Sequence, residues 1–462
     1  MSATIRQVLL DSKITHHVSL SMIESVIPPE TVEQVLSEYD AWEQGEKKLN
    51  MRAIVYWLIA LNVFATCSMP EVWRRLVDGW KAIWPSQWWD IPTAGALCQR
   101  RAQLGVTVMR ALFARCVHPL ATAATKGAFR FNLRVVALDG TLDDLPDTDA
   151  NRTVFPYNGG QGHGHSPFPQ LRSVLLMECG THAIFDAELL CTTVQEQQGA
   201  LLVLARRLSA GMLLLWDRGF HTHELIALVR SRGAHLVGRL PSKCLRHVWA
   251  RLCDGTYLAK VPRDSKHGTG YRLPVRVIEY TITDPQAPGY GQHFRLFTTL
   301  LDPKRYPAKD IIALYHERWE IESGIDELKT HLRLSARTLR SQTPQGVEQE
   351  YYALRLSHFA IRVLMHLGAL LVNEDPDRLS FTHTLMVLQR SVWRFALAIP
   401  EQYPALRAQL LAEMCEERVP PRRLRFQARV VKRTHAKFRR KCYADLHAPC
   451  LHQSFLDIVT LI

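Results

Sequence analysis

The pattern of hydrophobic and polar positions divides the chain into three regions, a mixed region between two helical ones. Before about residue 125, apolar residues recur at helical spacing in four segments, Thr31–Tyr39, Met51–Phe64, Met69–Asp78 and Thr93–Leu104. Between about residues 126 and 340, short apolar runs predict strands that alternate with helices. Beyond residue 340, two long helices with an apolar face are predicted, Gly346–Leu371 and Ser380–Leu397. The pattern therefore predicts helical regions at 1–125 and 341–462 that flank an α/β region at 126–340.

The middle region carries five predicted core strands, Leu133–Leu138, Leu171–Glu178, His182–Leu190, Met212–Trp216 and His235–Leu240. Two predicted helices separate the last three strands, Gln195–Leu208 and His223–Arg232. Three strands, helix, strand, helix, strand is the order of a ribonuclease-H-like α/β domain, in which the first and fourth strands are neighbours. Further alternating runs at Tyr257–Val261, Tyr271–Ile282 and His293–Leu301 predict a β subdomain inserted at about 241–307.

Two of the apolar strands stop abruptly at an aspartate. Leu133–Leu138 is followed by Asp139-Gly140-Thr141, and Met212–Trp216 is followed by Asp217-Arg218-Gly219. Buried strands that end in this way deliver a carboxylate to the edge of a sheet. A single aspartate at a strand end is also a common turn former, so each alone is weak support for a site. Asp143, Asp144 and Asp147 are rivals of Asp139 within the same segment.

A third group of polar residues lies on the predicted helix Tyr315–Lys329. At about 100° per residue, Tyr315, Arg318, Glu322 and Lys329 fall within roughly 60° of one another. The alternative interpretation is a solvated charged face, and Asp326 is a rival of Glu322. Two strand-end aspartates and one helical glutamate supply the oxygen ligands that hard divalent cations prefer. Together they predict a two-metal site for phosphodiester chemistry.

The spacing Tyr-x2-Arg-x3-Glu-x6-Lys, met by Tyr315, Arg318, Glu322 and Lys329, resembles the signature of the insertion-sequence-four family of bacterial DDE transposases. Asp139 in ALDGT and Asp217 in WDRGF are similar to the first and second catalytic acids of that family. The resemblance extends over nearly the whole chain, including Phe168–Ile184 and Asp375–Leu385.

The resemblance implies that Asp139, Asp217 and Glu322 are catalytic residues and ligands of two Mg²⁺ ions, with Mn²⁺ as an alternative. It implies double-stranded DNA as the partner, both the inverted-repeat ends of the element and the target DNA. Tyr315, Arg318 and Lys329 would contact that DNA. A homodimer in the end complex and an N-terminal DNA-binding domain are further implications.

Positive charge is concentrated in one segment. Lys and Arg number 57 against 44 Asp and Glu, a net charge of +13. The segment Arg418–Lys441 holds eleven Lys or Arg and no acid, which predicts contact with a polyanion through residues such as Lys432 and Arg433. Further DNA contacts are predicted at Arg333, after the signature, and at Arg100 and Arg101 in a segment with the pattern of a recognition helix. Arginine pairs are also common on helix surfaces.

Several classes of protein are disfavoured by the sequence. The apolar run Ala53–Cys67 is too short to span a bilayer, and Met1–Leu10 lacks the zones of a signal peptide. Cys442, His447, Cys450 and His452 do not have the spacing of a familiar zinc site. We therefore expect a cytoplasmic, nucleoid-associated enzyme without membrane contact. Two alternatives remain, a metal-dependent nuclease of the same fold that cuts without rejoining and a domesticated DNA-binding protein.

Overall fold

The computed structural model describes residues 20, 22–45, 49–83, 91–159, 165–241, 248–262, 272–285, 290–333, 338–421 and 454–462. The chain forms two compact units. The first contains Met1–Lys126, Gly140–Gln195 and Glu322–Val419, and the second contains Gly127–Asp139, Glu196–Ile321 and Pro420–Ile462. Helices and strands alternate through the middle of the chain, so the α/β fold class predicted from the sequence is confirmed.

The helices are, in chain order, α1 Pro29–Glu38, α2 Met51–Val63, α3 Met69–Ile83, α4 Ala94–Cys116, α5 Asp149–Val154, α6 Glu196–Arg207, α7 His223–Ser231, α8 Ala308–His316, α9 Trp319–Asp326, α10 Pro344–Leu371, α11 Phe381–Leu397 and α12 Tyr403–Met414. The four helices predicted before residue 125 are present as α1 to α4. Asn50 and Thr93 cap α2 and α4 by accepting hydrogen bonds from the backbone N–H of Ala53 and Ala96. Helix α4 continues beyond the predicted end at Leu104 through a kink at Gly105, where φ is 73°.

The strands are β1 Phe129–Arg130, β2 Leu133–Asp144, β3 Tyr157–Gly159, β4 His165–Glu178, β5 Ile184–Cys191, β6 Met212–Trp216, β7 His235–Arg239, β8 Val248–Arg251, β9 Tyr257–Pro262, β10 Arg272–Ile282, β11 His293–Thr298 and β12 Val459–Leu461. Every predicted strand has a counterpart in this series. The short elements α5 and β3 lie between β2 and β4 and were not predicted, because six and three residues are too few to show a period.

In the first unit, α10 is the central helix. It packs against α2, α4 and α12, and its N-terminus is capped by Thr343, whose side chain accepts from the N–H of Gly346. By length and composition α10 could cross a membrane, but 78% of its most apolar window is buried within the protein, as in a core helix. Strand β4 pairs in antiparallel fashion with β3 and β5.

In the second unit, β2, β6 and β7 are parallel neighbours. Residues Arg134–Leu138 pair with Met212–Trp216, so the first and fourth predicted strands lie side by side, as expected for a ribonuclease-H-like domain. All five residues of β6 are buried, which explains its uninterrupted apolar sequence.

The insertion after β7 consists of the three predicted strands, β9 to β11, and the unpredicted strand β8, and it continues the existing sheet. The order runs β2, β6, β7, β11, β10, β9, β8, with β11 antiparallel to β7. The C-terminal strand β12 pairs with β10, which the sequence did not predict. Three residues are again too few for a pattern, and their partner lies far away in the chain.

Candidate active site

Asp139 and Asp217 occupy matched positions on adjacent parallel strands. Leu138 and Trp216 are register partners, and each aspartate is the next residue on its strand. Neighbouring strands lie about 4.8 Å apart, so the two carboxylates start from backbone positions separated by about that distance. The residues before them are buried, whereas both aspartates are half-buried. The two acids therefore emerge together where the paired core ends.

The surroundings of Asp139 differ from the prediction in one respect. Strand β2 does not stop at Leu138 but continues to Asp144, so Asp139 lies inside a strand. What ends at Leu138 is the pairing with β6. The reason is that β6 itself ends at Trp216, while β2 continues beyond its partner.

The turn after β6 fixes the side chain of Asp217. Its Oδ1 accepts a hydrogen bond of 2.6 Å from the N–H of Gly219 and caps the 3₁₀ turn Arg218–Phe220. A Cβ at Gly219 would lie 2.9 Å from that oxygen, so the close approach requires glycine. Gln197 Nε2 donates to the carbonyl of Gly219 at 2.7 Å and steadies the same turn. Asp217 is thus held in one orientation by its own backbone.

The signature segment Tyr315–Lys329 is not one regular helix, and that prediction is wrong. Helix α8 ends at His316, α9 begins at Trp319, and a π-helical turn occupies Glu327–Leu332. Between α8 and α9 the N–H of Arg318 donates to the carbonyl of Tyr315 at 3.2 Å, a bond that spans three residues instead of four. A uniform 100° per residue therefore does not describe the positions of the four signature side chains.

Arg318 lies against Asp139. Its Nη1 is 3.6 Å from Oδ2 of Asp139, and the arginine is only 8% exposed. Its guanidinium also lies over the ring of Trp319, 4.9 Å from the centroid. An ion pair in such a position is screened by solvent far less than a surface pair. Positive charge is therefore stabilised beside the Asp139 carboxylate.

Tyr315 belongs to the same group of side chains in the second unit. Burial raises the pKa of Tyr315 to about 12, with the charge of Arg318 lowering the pKa and that of Asp217 raising it. The phenol is thus within electrostatic range of both residues and stays protonated at neutral pH. Asp139, Asp217, Arg318 and Tyr315 are brought together as the sequence predicted.

Glu322 and Lys329 belong to the first unit. Glu322 is exposed on α9. Lys329 is half-buried in the π-helical turn, where Nζ donates a hydrogen bond to the carbonyl oxygen of Leu142. Burial lowers the pKa of Lys329, and the positive charges of Arg333 and Arg355 lower it further against the opposing effect of Asp143.

The rival acids on β2 and beyond it have protein partners. Asp143 is 3% exposed and lies 2.9 Å from Arg333 and 3.6 Å from Arg355. Asp144 accepts from Gln170 at 2.7 Å, and Asp147 accepts from Tyr157 at 2.6 Å. Each rival is thus bonded within the protein, and what distinguishes Asp139, itself paired with Arg318, is its position next to Asp217 on the adjacent strand.

The rival of Glu322 is also engaged. Asp326 is exposed, accepts a 2.6 Å bond from Thr330 and lies 3.3 Å from His331.

Two of the predicted DNA contacts are internal. Arg333 is buried and forms an ion pair with Asp143. Arg101 is 7% exposed, and its guanidinium donates to Gln349 and Ser341, both at 2.9 Å. Burial lowers the pKa of Arg101. Both guanidinium groups are engaged inside the first unit, which disfavours the predicted contact of these two arginines with DNA.

The sequence contained a signal for the burial of Arg101. Leu97 and Leu104 are buried, and Arg101 shares their helical face at spacings of four and three residues. Its neighbour Arg100 is half-buried and donates to the carbonyl of Leu49 at 2.7 Å and 3.1 Å. Lys432 and Arg433 lie outside the described residues, so their predicted role stays a prediction.

The donor set at Asp139 and Asp217 fits a hard divalent cation. Both residues offer carboxylate oxygens from adjacent strands, and the Arg318 contact shows that a cation is stabilised at this position. Asp139 and Asp217 offer oxygen donors, not the nitrogen or sulfur donors that favour zinc.

Comparison with known proteins shows the family of the chain. Residues 17–114 match the family model described as insertion element 4 transposase N-terminal, and residues 130–359 match the transposase DDE domain. Transposase InsG for insertion sequence element IS4, from Escherichia coli strain K12, is 26% identical over 428 residues, which are 91% of this chain and 93% of that protein.

A solved piggyBac transposase synaptic complex with hairpin DNA aligns at a TM-score of 0.41 and 11% identity, over 87% of this chain and 86% of that chain. A likeness this weak carries no conclusion about chemistry. The two family matches and the similarity to InsG over most of both chains are sufficient. The chain belongs to the insertion-sequence-four family of DDE transposases.

Proposed function

We propose that this DNA transposase binds the inverted-repeat ends of its own insertion sequence, cuts them and joins them to target DNA. The observation that carries the proposal is the matched placement of Asp139 and Asp217 on β2 and β6, with Arg318 of the family signature 3.6 Å from Asp139. Carboxylates in this arrangement suit phosphodiester chemistry assisted by divalent cations.

Asp139, Asp217 and Glu322 would hold two Mg²⁺ ions, with Mn²⁺ as an alternative. Bound divalent cations would lower the pKa of the attacking water or 3′-hydroxyl. They would also neutralise negative charge at the reacting phosphate. The three acids need only stay ionised. Support for Glu322 is its position in the signature and its exposure on α9.

The remaining signature residues would bind the DNA backbone near the cut. Arg318 would neutralise a phosphate beside Asp139, and its planar guanidinium can present two donors to one phosphate. Tyr315, protonated at neutral pH, would donate a hydrogen bond to a neighbouring phosphate oxygen. Lys329 would act as a point charge.

DNA binding away from the cut would involve other regions. The match of residues 17–114 to the N-terminal family model supports an end-binding domain at about 1–125, with the catalytic domain at 126–340 and a C-terminal region at 341–462. The basic segment Arg418–Lys441 would add non-specific attraction. A homodimer would hold the two ends together, and the protein would act in the cytoplasm on nucleoid DNA.

The two alternative functions can be distinguished from transposition by what happens to end DNA. A nuclease of the same fold would cut end DNA without rejoining it, and a domesticated binding protein would not cut. The presence of all three acids together with Arg318 and Lys329 argues against a vestigial site. Short inverted repeats bounded by direct duplications around the coding region would favour the transposase.

The direct experiment incubates the full chain and Mg²⁺ with a linear duplex that carries the element's own ends and with a plasmid target. Joined products that depend on the end sequence are expected. Cleaved but never joined ends would favour the nuclease, and binding with neither product would contradict the proposal.

A further inference from the structure

A buried charged cluster surrounds Glu327, a residue outside the family signature. Glu327 is 4% exposed, and its Oε2 accepts from Arg362 Nε at 2.8 Å and lies 3.0 Å from His358 Nε2. Arg362 Nη2 also contacts Oε1 of the same carboxylate. Burial alone would raise the pKa of Glu327, but Arg362 and the two histidines outweigh it and hold the pKa well below its usual range. Glu327 is therefore a fixed, fully ionised carboxylate.

The third partner of this carboxylate is a histidine with an unusual backbone. His182 lies in the turn between β4 and β5 with φ of 55°, in the left-handed region that residues with a Cβ rarely occupy. It is completely buried, with Nδ1 3.3 Å from Glu327 and Nε2 3.1 Å from Asp377. Such strain persists only where the surrounding structure holds the residue in place. The contacts of His182 with two buried acids supply that constraint.

Glu327 is the first residue of the π-helical turn Glu327–Leu332. A π-helical turn inserts extra backbone into a helix and changes the direction of the side chains that follow. Leu328 and Leu332 of this turn are buried, while Lys329 points its ammonium to the carbonyl of Leu142 on β2. The direction of Lys329 therefore depends on a rare backbone geometry, and the Glu327 cluster joins this turn to α10.

We propose that Glu327 is a positioning residue of the cleavage site, which acts by fixing the π-helical turn that carries Lys329. Glu327 contacts Arg362 and His358 of α10 and His182 of the β4–β5 turn, so it ties the signature segment to two other elements of the first unit. It does not contact DNA itself. This inference rests on the proposed function, in which Lys329 binds a phosphate at the cut.

The test is a double-mutant cycle in the full chain, with Glu327→Gln, Lys329→Ala and both changes together. The readouts are the single-turnover cleavage rate of pre-bound end DNA in Mg²⁺, the affinity for that DNA and the thermal midpoint. If Glu327 acts through Lys329, each single change slows cleavage by about tenfold or more, and the double variant is no slower than the slower single variant. End affinity stays within about twofold of wild type, because non-specific phosphate contacts are unchanged.

A purely structural role gives a different pattern. The proposal would be overturned if the rate losses of the two single variants multiply in the double variant. It would also be overturned if Glu327→Gln cleaves end DNA at the wild-type rate. The matched control is Glu350→Gln on α10, whose carboxylate accepts from the N–H groups of Arg340 and Ser341. Glu350→Gln should lower the thermal midpoint, and any loss of cleavage rate it causes should multiply with the loss caused by Lys329→Ala.

If Glu327→Gln does not fold, His358→Gln takes its place in the same cycle, since it removes only one of the hydrogen bonds to Glu327. The same non-multiplicative pattern is expected, and a multiplicative one again overturns the inference. A wild-type chain that cuts no end DNA would instead refute the proposed function, and this inference with it.

Discussion

Asp139 Oδ2 lies 3.6 Å from Nη1 of Arg318, a contact that joins a strand-borne acid to the signature segment. The arginine is almost fully buried, so its charge is not screened as at the surface. The same guanidinium lies within electrostatic range of Tyr315, which is also close to Asp217. Arg318 thus contacts Asp139 and lies near Tyr315, and Tyr315 in turn lies within electrostatic range of Asp217.

Arg318→Ala should therefore impair the reaction on specific ends more than binding to random DNA. We expect cleavage of end DNA to slow by at least about tenfold, while affinity for an unrelated duplex changes by less than about threefold. The control is Arg130→Ala, which breaks the exposed 3.2 Å pair with Asp310 in the same unit and should change stability by less than about 1 kcal/mol. Equal losses on specific and random DNA would point to a general electrostatic role for Arg318.

Gly238→Ala should destabilise the sheet next to Asp217. A Cβ at Gly238 would lie 2.4 Å from Nε1 of Trp216 and 2.7 Å from Cε1 of Phe297, and both rings are completely buried. Overpacking of this kind costs about 1–3 kcal/mol, and the displaced ring of Trp216 is adjacent to Asp217 in sequence. Chemical denaturation should show the loss, together with slower cleavage.

Gly95→Ala is the matched control, because the nearest atom to its Cβ would be 4.0 Å away and the helix gains by about 0.5–1 kcal/mol. A Gly238→Ala protein as stable as wild type would show that β6 and β7 can separate freely.

Arg101→Ala should act on stability, not on DNA binding. It leaves the buried acceptors of Gln349 and Ser341 without their donor, and we expect a loss of about 3 kcal/mol in the free energy of unfolding. Arg110→Ala on the same helix removes an exposed 2.7 Å pair with Glu348 and should cost less than about 1 kcal/mol. A selective loss of end binding by a folded Arg101→Ala protein would restore the recognition-helix interpretation.

These cases show how far the sequence specifies the structure. The strand order and the positions of Asp139 and Asp217 were predictable, because buried parallel strands read as apolar runs and their ends are marked by polar residues. The pairing of β12 with β10 was not, since three residues from a distant part of the chain carry no periodic signal. Sequence patterns treat an arginine as an exposed residue. The burial of Arg101, Arg333 and Arg362 was therefore not predicted, because their partners come from other elements. The break between α8 and α9 and the π-helical turn were not predicted either, because the residue pattern there favours one continuous helix.

The basic segment should supply much of the non-specific attraction for DNA. Deleting everything after residue 418 would also remove β12 and Phe455, whose ring stacks on His316 at 4.4 Å. The sharper variant replaces the Lys and Arg residues of 422–441 by Ser and retains 454–462. Each lost phosphate contact should flatten the slope of log K against log salt by about 0.9.

An unrelated duplex titrated from low to moderate salt measures that slope. An unchanged slope would exclude DNA contact by the basic segment. A changed oligomeric state with the slope intact would indicate that the segment instead binds an acidic surface of this protein or of a partner subunit.

We propose that Asp139, Asp217 and Glu322 are the catalytic carboxylates. Asp139→Asn, Asp217→Asn and Glu322→Gln keep the size of each side chain and remove one charge, at positions that are half-buried or exposed and not part of the apolar core. Folding and end binding should be largely preserved. Asp326→Asn, one turn after Glu322, is the matched control.

The most direct measurement is cleavage of end DNA by these four variants in Mg²⁺. We expect cleavage by the first three variants to fall by at least about a thousandfold, because each lacks a ligand of a catalytic cation, while Asp326→Asn stays close to wild type. Near-wild-type cleavage by any of the three, or a loss for Asp326→Asn as large as for Glu322→Gln, would contradict the assignment.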